Sequence, residues 1–247
     1  MKSKATKVLK YLNLTFDAPE ENLACDEALI AWCEGEQAGG ILRVWEPRQY
    51  FVVAGYSNKI GAEVNHAASA YDGIRVLRRC TGGGAVLQGP GCLNYALVFN
   101  HQDEEWLGDL SRSYRIVLER HRELFTALSG AQVTVEGTSD LAVDGRKFSG
   151  NSQYRKRRWT LIHGTILLHF DLARIERYLR MPSKEPGYRQ NRRHEDFLVN
   201  LNIDRGIVKH GLRRIWRATE ELGAPPPGVI DELVRQRYSR PEWNLKF

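Results

Sequence analysis

The order in which helix-like and strand-like segments follow one another is the strongest constraint on the fold of this chain. Short runs rich in β-branched and aromatic residues succeed one another, separated by turn residues rather than by helices. The predicted strands cover 41–46, 51–56, 74–78, 93–99, 133–137, 140–145 and 159–170. Helices are predicted around these strand groups, over 19–35, 111–128, 171–180 and 204–222. This order favours an α+β fold with a mixed, largely antiparallel β-sheet flanked by helices over alternating βαβ units.

Local signals support several of these boundaries. Ser111 is a candidate N-cap for the second helix, and Gly130 and Gly223 follow the predicted ends of the second and fourth helices. The dipeptide Asp144-Gly145 is a strong signal for a two-residue β-hairpin turn. The sequence therefore predicts a tight hairpin between residues 140 and 150, directly after the second helix and one strand.

Composition indicates one globular unit. At 247 residues, with 42% hydrophobic and 27% charged residues, the chain is long enough for one large domain with a substantial core. The stretch from Ala224 to Gly228, with three prolines, has the composition of a linker, but too few residues follow it for an independent domain. We therefore predict a single domain over 1–247, with 224–247 as a C-terminal extension packed on it.

Charge and cysteine content exclude several classes of protein. No apolar run has the length of a membrane helix, and the basic N-terminal segment lacks the apolar stretch of a signal peptide. We therefore expect a cytoplasmic protein with no membrane partner. The four cysteines form no CxxC pair, which argues against a zinc site and against disulfides. The net charge of +6 fits phosphate-bearing ligands, acidic proteins or nucleic acid and does not choose among them.

The segment RRCTGGGAVLQG, residues 78–89, places three consecutive glycines behind two arginines and a threonine. Glycine reaches positive φ and lets a ligand approach the backbone, and successive N–H groups in such a turn attract anions. The spacing is that of neither a P-loop nor a dinucleotide-binding fingerprint. Taken alone, this glycine segment is either an anion-binding loop or a plain connection between strands.

Two further blocks follow the glycine segment in order, SDLAVDGRKFSGNSQ and LIHGT. Together the three blocks resemble the lipoate–protein ligase family, which belongs to the biotin/lipoate ligase and octanoyltransferase superfamily. The resemblance implies a class II synthetase/biotin ligase-like catalytic domain that holds an acyl adenylate. It also implies that lipoate and ATP give lipoyl-AMP and pyrophosphate. The lipoyl group then passes to a lysine of a lipoyl-carrier domain.

The resemblance assigns roles to individual residues. Lys147, in GRKFSG, matches the family's essential lysine, which polarises the mixed anhydride of the adenylate. Asp140 matches a contact to the adenylate, either through magnesium or by orienting its loop. The matching positions of the acyl and phosphate sites are Arg79, Thr81, Gly82, Gly83, Gly84, Ala85, Ser149, Gly150, His163, Gly164 and Thr165. The expected cofactors are ATP and Mg²⁺, with lipoate as the substrate.

The small size of two of these residues explains why they suit the site. The small residue Ala85 is expected to leave room for a flexible acyl chain, and Gly164 is expected to open space for the ligand beside His163. A histidine in a strand is also often a buried core residue. His163 is therefore expected to be either part of the ligand site or a residue of the core.

Other features depart from the family pattern and leave alternatives open. Gln88 stands where many members have histidine. Transferases of the superfamily use a cysteine nucleophile, but TVEGTSDL and RRWTLIHG lack it at both positions where those enzymes carry one. Cys80 and Cys92 have no base nearby in sequence, and we expect both to be buried filler. The leading prediction is an ATP-dependent lipoate–protein ligase. The alternatives are an octanoyl or lipoyl transferase that needs no ATP, and a non-catalytic protein that keeps the pocket.

The expected partner is a lipoyl-carrier domain with an acidic surface around its target lysine. The arginine-rich stretch at 188–197 fits a basic docking surface for such a domain, or a plain solvated surface. Family members often carry a C-terminal accessory domain that is not recognisable before Phe247, so a separate accessory subunit or a self-sufficient short ligase is expected. No nucleic-acid partner is expected, because no helix-turn-helix segment precedes the pocket.

Overall fold

A computed structural model describes residues 8–36, 39–225 and 227–247. The strands are β1 (Lys10–Asn13), β2 (Ile41–Trp45), β3 (Phe51–Ala54), β4 (Arg75–Arg78), β5 (Val86–Gln88), β6 (Cys92–Asn100), β7 (Val133–Glu136), β8 (Asp140–Val143), β9 (Arg146–Arg155), β10 (Trp159–Leu167) and β11 (Glu220–Glu221). The α-helices are α1 (Pro19–Glu36), α2 (Ile60–Glu63), α3 (His66–Tyr71), α4 (Leu110–Ser129), α5 (Ile175–Tyr178), α6 (His194–Phe197), α7 (Arg205–Ile215), α8 (Pro227–Leu233) and α9 (Pro241–Asn244). None of the helices in these ranges is long and apolar enough to cross a membrane.

The strands form two sheets. The larger has the order β11-β1-β2-β6-β10-β9-β8-β7, and the smaller has the order β4-β3-β5. In the larger sheet β1 pairs in parallel with β11 and β2, and the other neighbouring strands are antiparallel. The predicted α+β fold with a mixed, largely antiparallel sheet flanked by helices is therefore confirmed.

The central strand β6 shows how the larger sheet is buried on both faces. Leu93 and Leu97 belong to the core that includes residues of α4 and α7, whereas Ala96 and Val98 belong to the core that includes α1. Successive side chains of a strand point to opposite faces, so an unbroken apolar run indicates a strand covered on both sides. The larger sheet is the middle layer between α4 and α7 on one face and α1 on the other.

The helix α4 begins and ends where capping chemistry requires. The Asp109 carboxylate accepts a hydrogen bond from the Arg112 N–H at 2.6 Å, so Asp109 is the N-cap. The predicted cap, Ser111, is wrong by two residues, because the helix starts at Leu110 and Ser111 already lies in its first turn. Gly130, with a φ of 70°, ends the helix in the left-handed conformation as predicted.

Two predicted helices are shorter than the sequence pattern suggests. The helix predicted over 204–222 ends at Ile215, and Arg217 has a φ of 50°, a left-handed conformation that a helix does not continue through. The residues that follow form β11 and extend the larger sheet beside β1. The helix predicted over 171–180 consists of a 3₁₀ turn at Leu172–Arg174 followed by the single turn of α5.

The strand β9 was absent from the predicted elements, although it is among the longest in the sheet. Its sequence, RKFSGNSQYR, is polar and contains glycine, which are features that disfavour strands. It is held as a strand because it pairs with both β8 and β10. The hairpin before it is confirmed, since Asp144 and Gly145 have φ values of 51° and 67° and form the two-residue turn.

The C-terminal segment contacts the helix α1. Ile230 of α8 belongs to the same core cluster as α1, and the Tyr238 hydroxyl donates to the Glu27 carboxylate at 2.7 Å. The predicted linker at 224–228 overlaps the start of α8 at Pro227, and residue 226 lies outside the described residues. The part of this stretch that the structure describes therefore includes the first residues of a helix.

A buried histidine lies between α4 and the sheet. The ring of His121 is fully buried, its Nε2 accepts a hydrogen bond from Trp216 Nε1 at 2.8 Å, and its centroid lies 4.6 Å from the Tyr95 ring. Its Nδ1 has no hydrogen-bond partner within the described residues. Burial lowers the pKa of His121 to about 3, because a charged ring would be desolvated there.

The first prediction concerns this histidine and acid stability. In the unfolded chain His121 takes up a proton near pH 6.5, whereas in the folded chain it stays neutral down to about pH 3. The unfolded state therefore binds more protons in this window, and the free energy of unfolding falls by about 1.4 kcal/mol per pH unit as the pH is lowered. Urea unfolding of the His121→Gln variant between pH 6 and pH 4.5 should show a slope smaller by about this amount.

The matched control is His210→Gln, since His210 is exposed on α7. This variant should keep the wild-type pH dependence. Equal slopes for wild type and His121→Gln would show that the folded protein protonates His121 without cost, contrary to the argument from burial.

Candidate active site

A pocket of about 420 Å³ lies where the smaller sheet meets the larger one, a volume suited to a small-molecule ligand. Its walls come from the glycine segment, from β9 and β10, and from the segment between residues 179 and 198. The apolar part of the lining includes Val53, Ala85, Leu87, Leu167, Ile175 and Leu179. The glycine segment is thus part of a pocket wall, which supports the first of its two interpretations. Ala85, expected to leave room for an acyl chain, lies in this apolar part.

The register of β9 and β10 places four of the pocket residues on one face of the sheet. His163 is opposite Ser152, and Thr165 is opposite Gly150. Directly paired residues in adjacent strands point to the same face, and residues two apart on one strand do so as well, at about 7 Å spacing. His163 therefore belongs to the pocket wall, and its side chain is 13% exposed.

A β-bulge turns Lys147 toward this same face. Leu141 pairs with Ser149, but Ala142 pairs with Lys147, so Phe148 is an extra residue in β9. In a regular strand Lys147, two residues before Ser149, would share the face of Ser149 and Leu141, which is buried against α4. The bulge instead places Lys147 on the pocket side, where its ammonium group lies 2.9 Å from the Asp140 carboxylate.

Gly150 provides the space in which the Lys147 side chain lies. A Cβ at Gly150 would be 2.8 Å from both Cε and Nζ of Lys147. Lys147 therefore crosses over the bare backbone of β9, and its side chain keeps 26% exposure toward the pocket. The sequence assigned both residues to the site, and the structure brings them into contact.

Asp140 is held between two donors. Its Oδ1 faces Lys147 Nζ, and its Oδ2 accepts a hydrogen bond from the Tyr188 hydroxyl at 2.9 Å. Burial and the Asp140 charge raise the pKa of Tyr188, so the hydroxyl remains a donor at neutral pH. No group of three or more metal-ligating side chains exists among the described residues. The donor set around Asp140 is that of an ion pair and does not fit a magnesium ion held by the protein alone.

The arginines of the glycine segment bind backbone carbonyl groups. Arg79 donates to Gly82 O at 2.6 Å and to Gly84 O at 3.0 Å, and thus holds both sides of Gly83, whose φ is 92°. Arg78 is fully buried and donates to the carbonyl groups of five residues: Gly55, Tyr56, Asn58, Trp243 and Lys246. The resemblance assigned Arg79 to the acyl and phosphate sites, and Arg79 does line the pocket. The hydrogen bonds of both arginines nevertheless go to the loop and, for Arg78, also to the C-terminal segment.

Backbone N–H groups of the glycine segment remain as anion donors. The Ala85 N–H donates to the Glu63 carboxylate at 3.1 Å, and Glu63 Oε1 accepts from the Ser183 hydroxyl at 2.7 Å. For the N–H groups of Gly83 and Gly84, the structure records no acceptor within the residues it describes. Glu63 was not recognised from the sequence, because it lies far from the glycines along the chain and belongs to no motif.

His163 is part of a buried hydrogen-bonded chain. Its Nδ1 lies 3.2 Å from Asp26 Oδ2, and its Nε2 lies 2.8 Å from the Thr81 hydroxyl. Asp26, on α1, pairs in turn with the fully buried Arg43. Burial opposes ionisation of Asp26, but Arg43 and His163 more than offset this and hold its pKa below the usual value. Asp26 lines the pocket, with Arg43 buried behind it, and the sequence indicated neither residue.

Gln88, Asn94 and Thr165 form a closed polar triangle in the pocket wall. Gln88 Nε2 donates to the Thr165 hydroxyl at 2.7 Å, the hydroxyl donates to Asn94 Oδ1 at 2.6 Å, and Asn94 Nδ2 donates to Gln88 Oε1 at 3.0 Å. Each side chain satisfies another, so Gln88 provides a neutral polar group where family members have histidine.

Ser149 and Gly164 have a different environment from the one expected. Both line the pocket, but they pair with Leu141 and Asn151, and a Cβ at Gly164 would lie 2.0 Å from Asn151 Oδ1. Gly164 therefore makes room for the Asn151 amide. Asn151 also accepts a hydrogen bond from the Tyr95 hydroxyl at 2.5 Å, and both of these side chains line the pocket.

The arginines of the stretch 188–197 form hydrogen bonds and ion pairs with groups of the same chain. Arg189 is buried and donates to Arg192 O, while Arg192 donates to the carbonyl groups of Gly145 and Tyr188. Arg193 pairs with the carboxylate of Glu176. These contacts fix the segment that closes one side of the pocket. Arg193 is 65% exposed, so a basic docking surface at 188–197 stays a prediction.

The four cysteines lie outside the pocket lining. Burial raises the pKa of the Cys25 thiol to about 11 and those of Cys33 and Cys92 to about 12, and it also raises the pKa of Cys80. A thiol with such a pKa stays protonated at neutral pH and is a poor nucleophile.

The chain is similar in sequence to proteins named as lipoate-protein ligases and to proteins named as octanoyltransferases. The chain is 33% identical over 232 residues to a protein named putative lipoate-protein ligase A from Aeropyrum pernix, covering 94% of this chain and 80% of that protein. It is 25% identical over 277 residues to an octanoyltransferase LipM from Anoxybacillus flavithermus, covering 97% and 99%.

Solved structures show the same fold. A lipoate-protein ligase A bound with ATP superimposes with a TM-score of 0.81, 23% identity, and coverage of 97% of this chain and 99% of that one. A bi-partite lipoate protein ligase described with its E2 lipoyl domain, from Thermoplasma acidophilum, gives 0.80 and 23%, with 96% coverage of both chains. Residues 18–202 match the family described as lipoyl protein ligase A/B catalytic domain. The chain belongs to this family of lipoyl ligases and octanoyltransferases.

Proposed function

We propose that the protein is an ATP-dependent lipoate–protein ligase. The observation that carries this proposal is the pocket itself, which combines an accessible lysine with a glycine loop and contains no cysteine. In the first step a lipoate carboxylate oxygen bonds to the α-phosphorus of ATP, and pyrophosphate leaves. In the second step the amine of the acceptor lysine bonds to the acyl carbon, AMP leaves, and one proton is released.

The residues of the pocket suit these two steps. The apolar lining near Ala85 and Leu87 accommodates the acyl chain. The N–H groups of Gly83 and Gly84, for which no acceptor is recorded among the described residues, are the donors for a phosphate or carboxylate. Lys147 supplies a positive charge where negative charge develops on the phosphate and the acyl oxygen. Asp140 holds the ammonium group over Gly150 and so fixes its direction.

Magnesium enters this proposal only with the nucleotide. Mg²⁺ commonly binds through substrate phosphates and few protein carboxylates, and it keeps several of its waters. The Asp140 oxygens already face Lys147 and Tyr188. We therefore assign no residue of this chain as a magnesium ligand and expect the ion to arrive bound to ATP.

The alternative is a transferase that takes an octanoyl or lipoyl group from a carrier without ATP, as the similarity to LipM octanoyltransferases allows. A covalent mechanism of that kind needs a thiolate in the pocket. All four cysteines lie outside the pocket lining. Three are buried and Cys80 is partly exposed, and burial raises the pKa of each thiol, so that all stay protonated at neutral pH. This observation favours the ligase.

The proposed partner is a lipoyl-carrier domain, as in the ligase described with its E2 lipoyl domain. That ligase is bi-partite, which supports a separate accessory subunit for this chain as well. We also assign the segment 224–247 to the catalytic unit, because Arg78 binds the carbonyl groups of Trp243 and Lys246 directly beside the glycine loop.

The second prediction tests the use of ATP. Purified protein with lipoic acid, Mg²⁺ and labelled ATP should form lipoyl-AMP, and addition of a lipoyl domain should give the modified domain with release of AMP. Thin-layer chromatography and intact-mass spectrometry measure the two products. Transfer from an octanoyl-carrier protein in the absence of ATP, with no lipoyl-AMP under any condition, would establish the transferase instead.

The third prediction concerns Lys147. The Lys147→Ala variant should lose about 10²- to 10³-fold in kcat, because it removes the charge that stabilises the transition state. Lys209→Ala is the matched control, since Lys209 also pairs with a carboxylate, Glu46, but lies outside the pocket. Equal activity of the two variants in the same assay would remove Lys147 from its proposed role.

The fourth prediction concerns the space over Gly150. A methyl group there collides only with the flexible end of Lys147, so Gly150→Ala should displace the ammonium group with little change in thermal stability. We expect kcat to fall at least tenfold while the Tm stays close to wild type. Gly61→Ala is the control, because a Cβ at Gly61 meets no atom within 4 Å and the residue lies outside the pocket. A Gly150→Ala enzyme with full activity would show that Lys147 works from another position.

A further inference from the structure

We propose that Asp26 is a positioning residue that sets the proton arrangement of His163 and, through it, the conformation of the glycine loop. The basis is an unbroken chain of hydrogen bonds that begins in the core and ends at the loop. It runs from Arg43 through Asp26, His163 and Thr81 to Arg79. The expected effect of this chain on kcat rests on the proposed ligase function, whereas the proton arrangement does not.

The direction of each hydrogen bond follows from the charges at the two ends. Arg43 is fully buried and keeps Asp26 ionised, so the Asp26 carboxylate can only accept. His163 therefore carries its proton on Nδ1, which faces Asp26 Oδ2 at 3.2 Å. In this tautomer Nε2 presents its lone pair to the Thr81 hydroxyl, 2.8 Å away.

The same logic fixes the hydroxyl of Thr81. Arg79 Nε lies 2.9 Å from Thr81 Oγ1 and can only donate, so the oxygen accepts from Arg79 and directs its own proton to His163. With Nε held in this way, the terminal nitrogen of Arg79 reaches Gly82 O and Gly84 O. The conformation of Gly83, at a φ of 92°, is therefore supported by hydrogen bonds that lead back through His163 to Asp26.

Asp26→Asn reverses this arrangement without changing the shape of the side chain. The amide oxygen turns to Arg43, because an NH₂ group cannot face a guanidinium group, and the amide nitrogen then faces His163 Nδ1. The ring must accept at Nδ1 and carry its proton on Nε2. Thr81 then receives two donors, from Arg79 and from His163, and its own proton has no recorded acceptor among the residues that the structure describes.

The test uses ¹⁵N–¹H NMR of the histidine rings in the substrate-free protein, with His163→Gln to assign the signals. We expect Nε2 of His163 to be the unprotonated nitrogen in wild type and the protonated one in Asp26→Asn. In the lipoyl-AMP assay, Asp26→Asn should lose about tenfold or more in kcat. Asp17→Asn is the control, because Asp17 is an exposed carboxylate paired with Arg48, and it should change neither readout.

A second variant covers the case in which Asp26→Asn does not fold. Thr81→Val removes the hydroxyl but leaves Arg43, Asp26 and His163 in place, so the ring should keep its proton on Nδ1 while kcat falls to a similar extent. A wild-type ring protonated on Nε2, or variants with unchanged kcat, would overturn the inference. The NMR result does not depend on the reaction, so failure of the ligase assay alone would contradict the proposed function and leave this proton arrangement standing.

Discussion

The antiparallel ladder of β6, β10 and β9 is the constraint on which the site depends. Pairing fixes which side chains share a face, and here it brings His163 and Thr165 beside Ser152 and Gly150. The apolar residues of β6 anchor this ladder between two cores, so a shift of one residue would expose core side chains on the wrong face. The positions of these four residues in the pocket wall are therefore specified as strongly as those of the core residues.

A β-bulge where β9 pairs with β8, at the edge of this ladder, is equally important for the site. The extra residue Phe148 keeps its ring in the core against α4 and turns Lys147 to the opposite face. A regular strand continued from Gly150 and Ser149 would have placed both side chains on the wrong face, with Phe148 toward the pocket and Lys147 toward the core. Bulges are known to re-aim side chains near active sites, and this one delivers the lysine to Asp140 across the bare backbone of Gly150.

Buried charge explains why the glycine loop has a defined shape. Burying a guanidinium group is costly unless its donors are satisfied, and Arg78 and Arg79 satisfy theirs with backbone carbonyl groups. Both arginines therefore work as a framework, which leaves Lys147 and the loop N–H groups to meet a ligand. The sequence did not indicate this structural role, because the position of Arg79 next to the glycines suggested direct contact with a phosphate.

The sequence alone determined the local features, because these depend on neighbouring residues. Apolar periodicity gave the helix α1, the dipeptide Asp144-Gly145 gave the hairpin, and the three motif blocks named Lys147 and Asp140 as one site. Only the tertiary structure decided which residues lie on each face and what the charges bind. The contact of Ala85 N–H with Glu63 and that of Asp26 with His163 join segments distant in the chain, and the bulge at Phe148 depends on how β9 pairs with β8. Such contacts follow from strand register and from the need to pair buried polar groups, and neither is encoded in a short stretch of sequence.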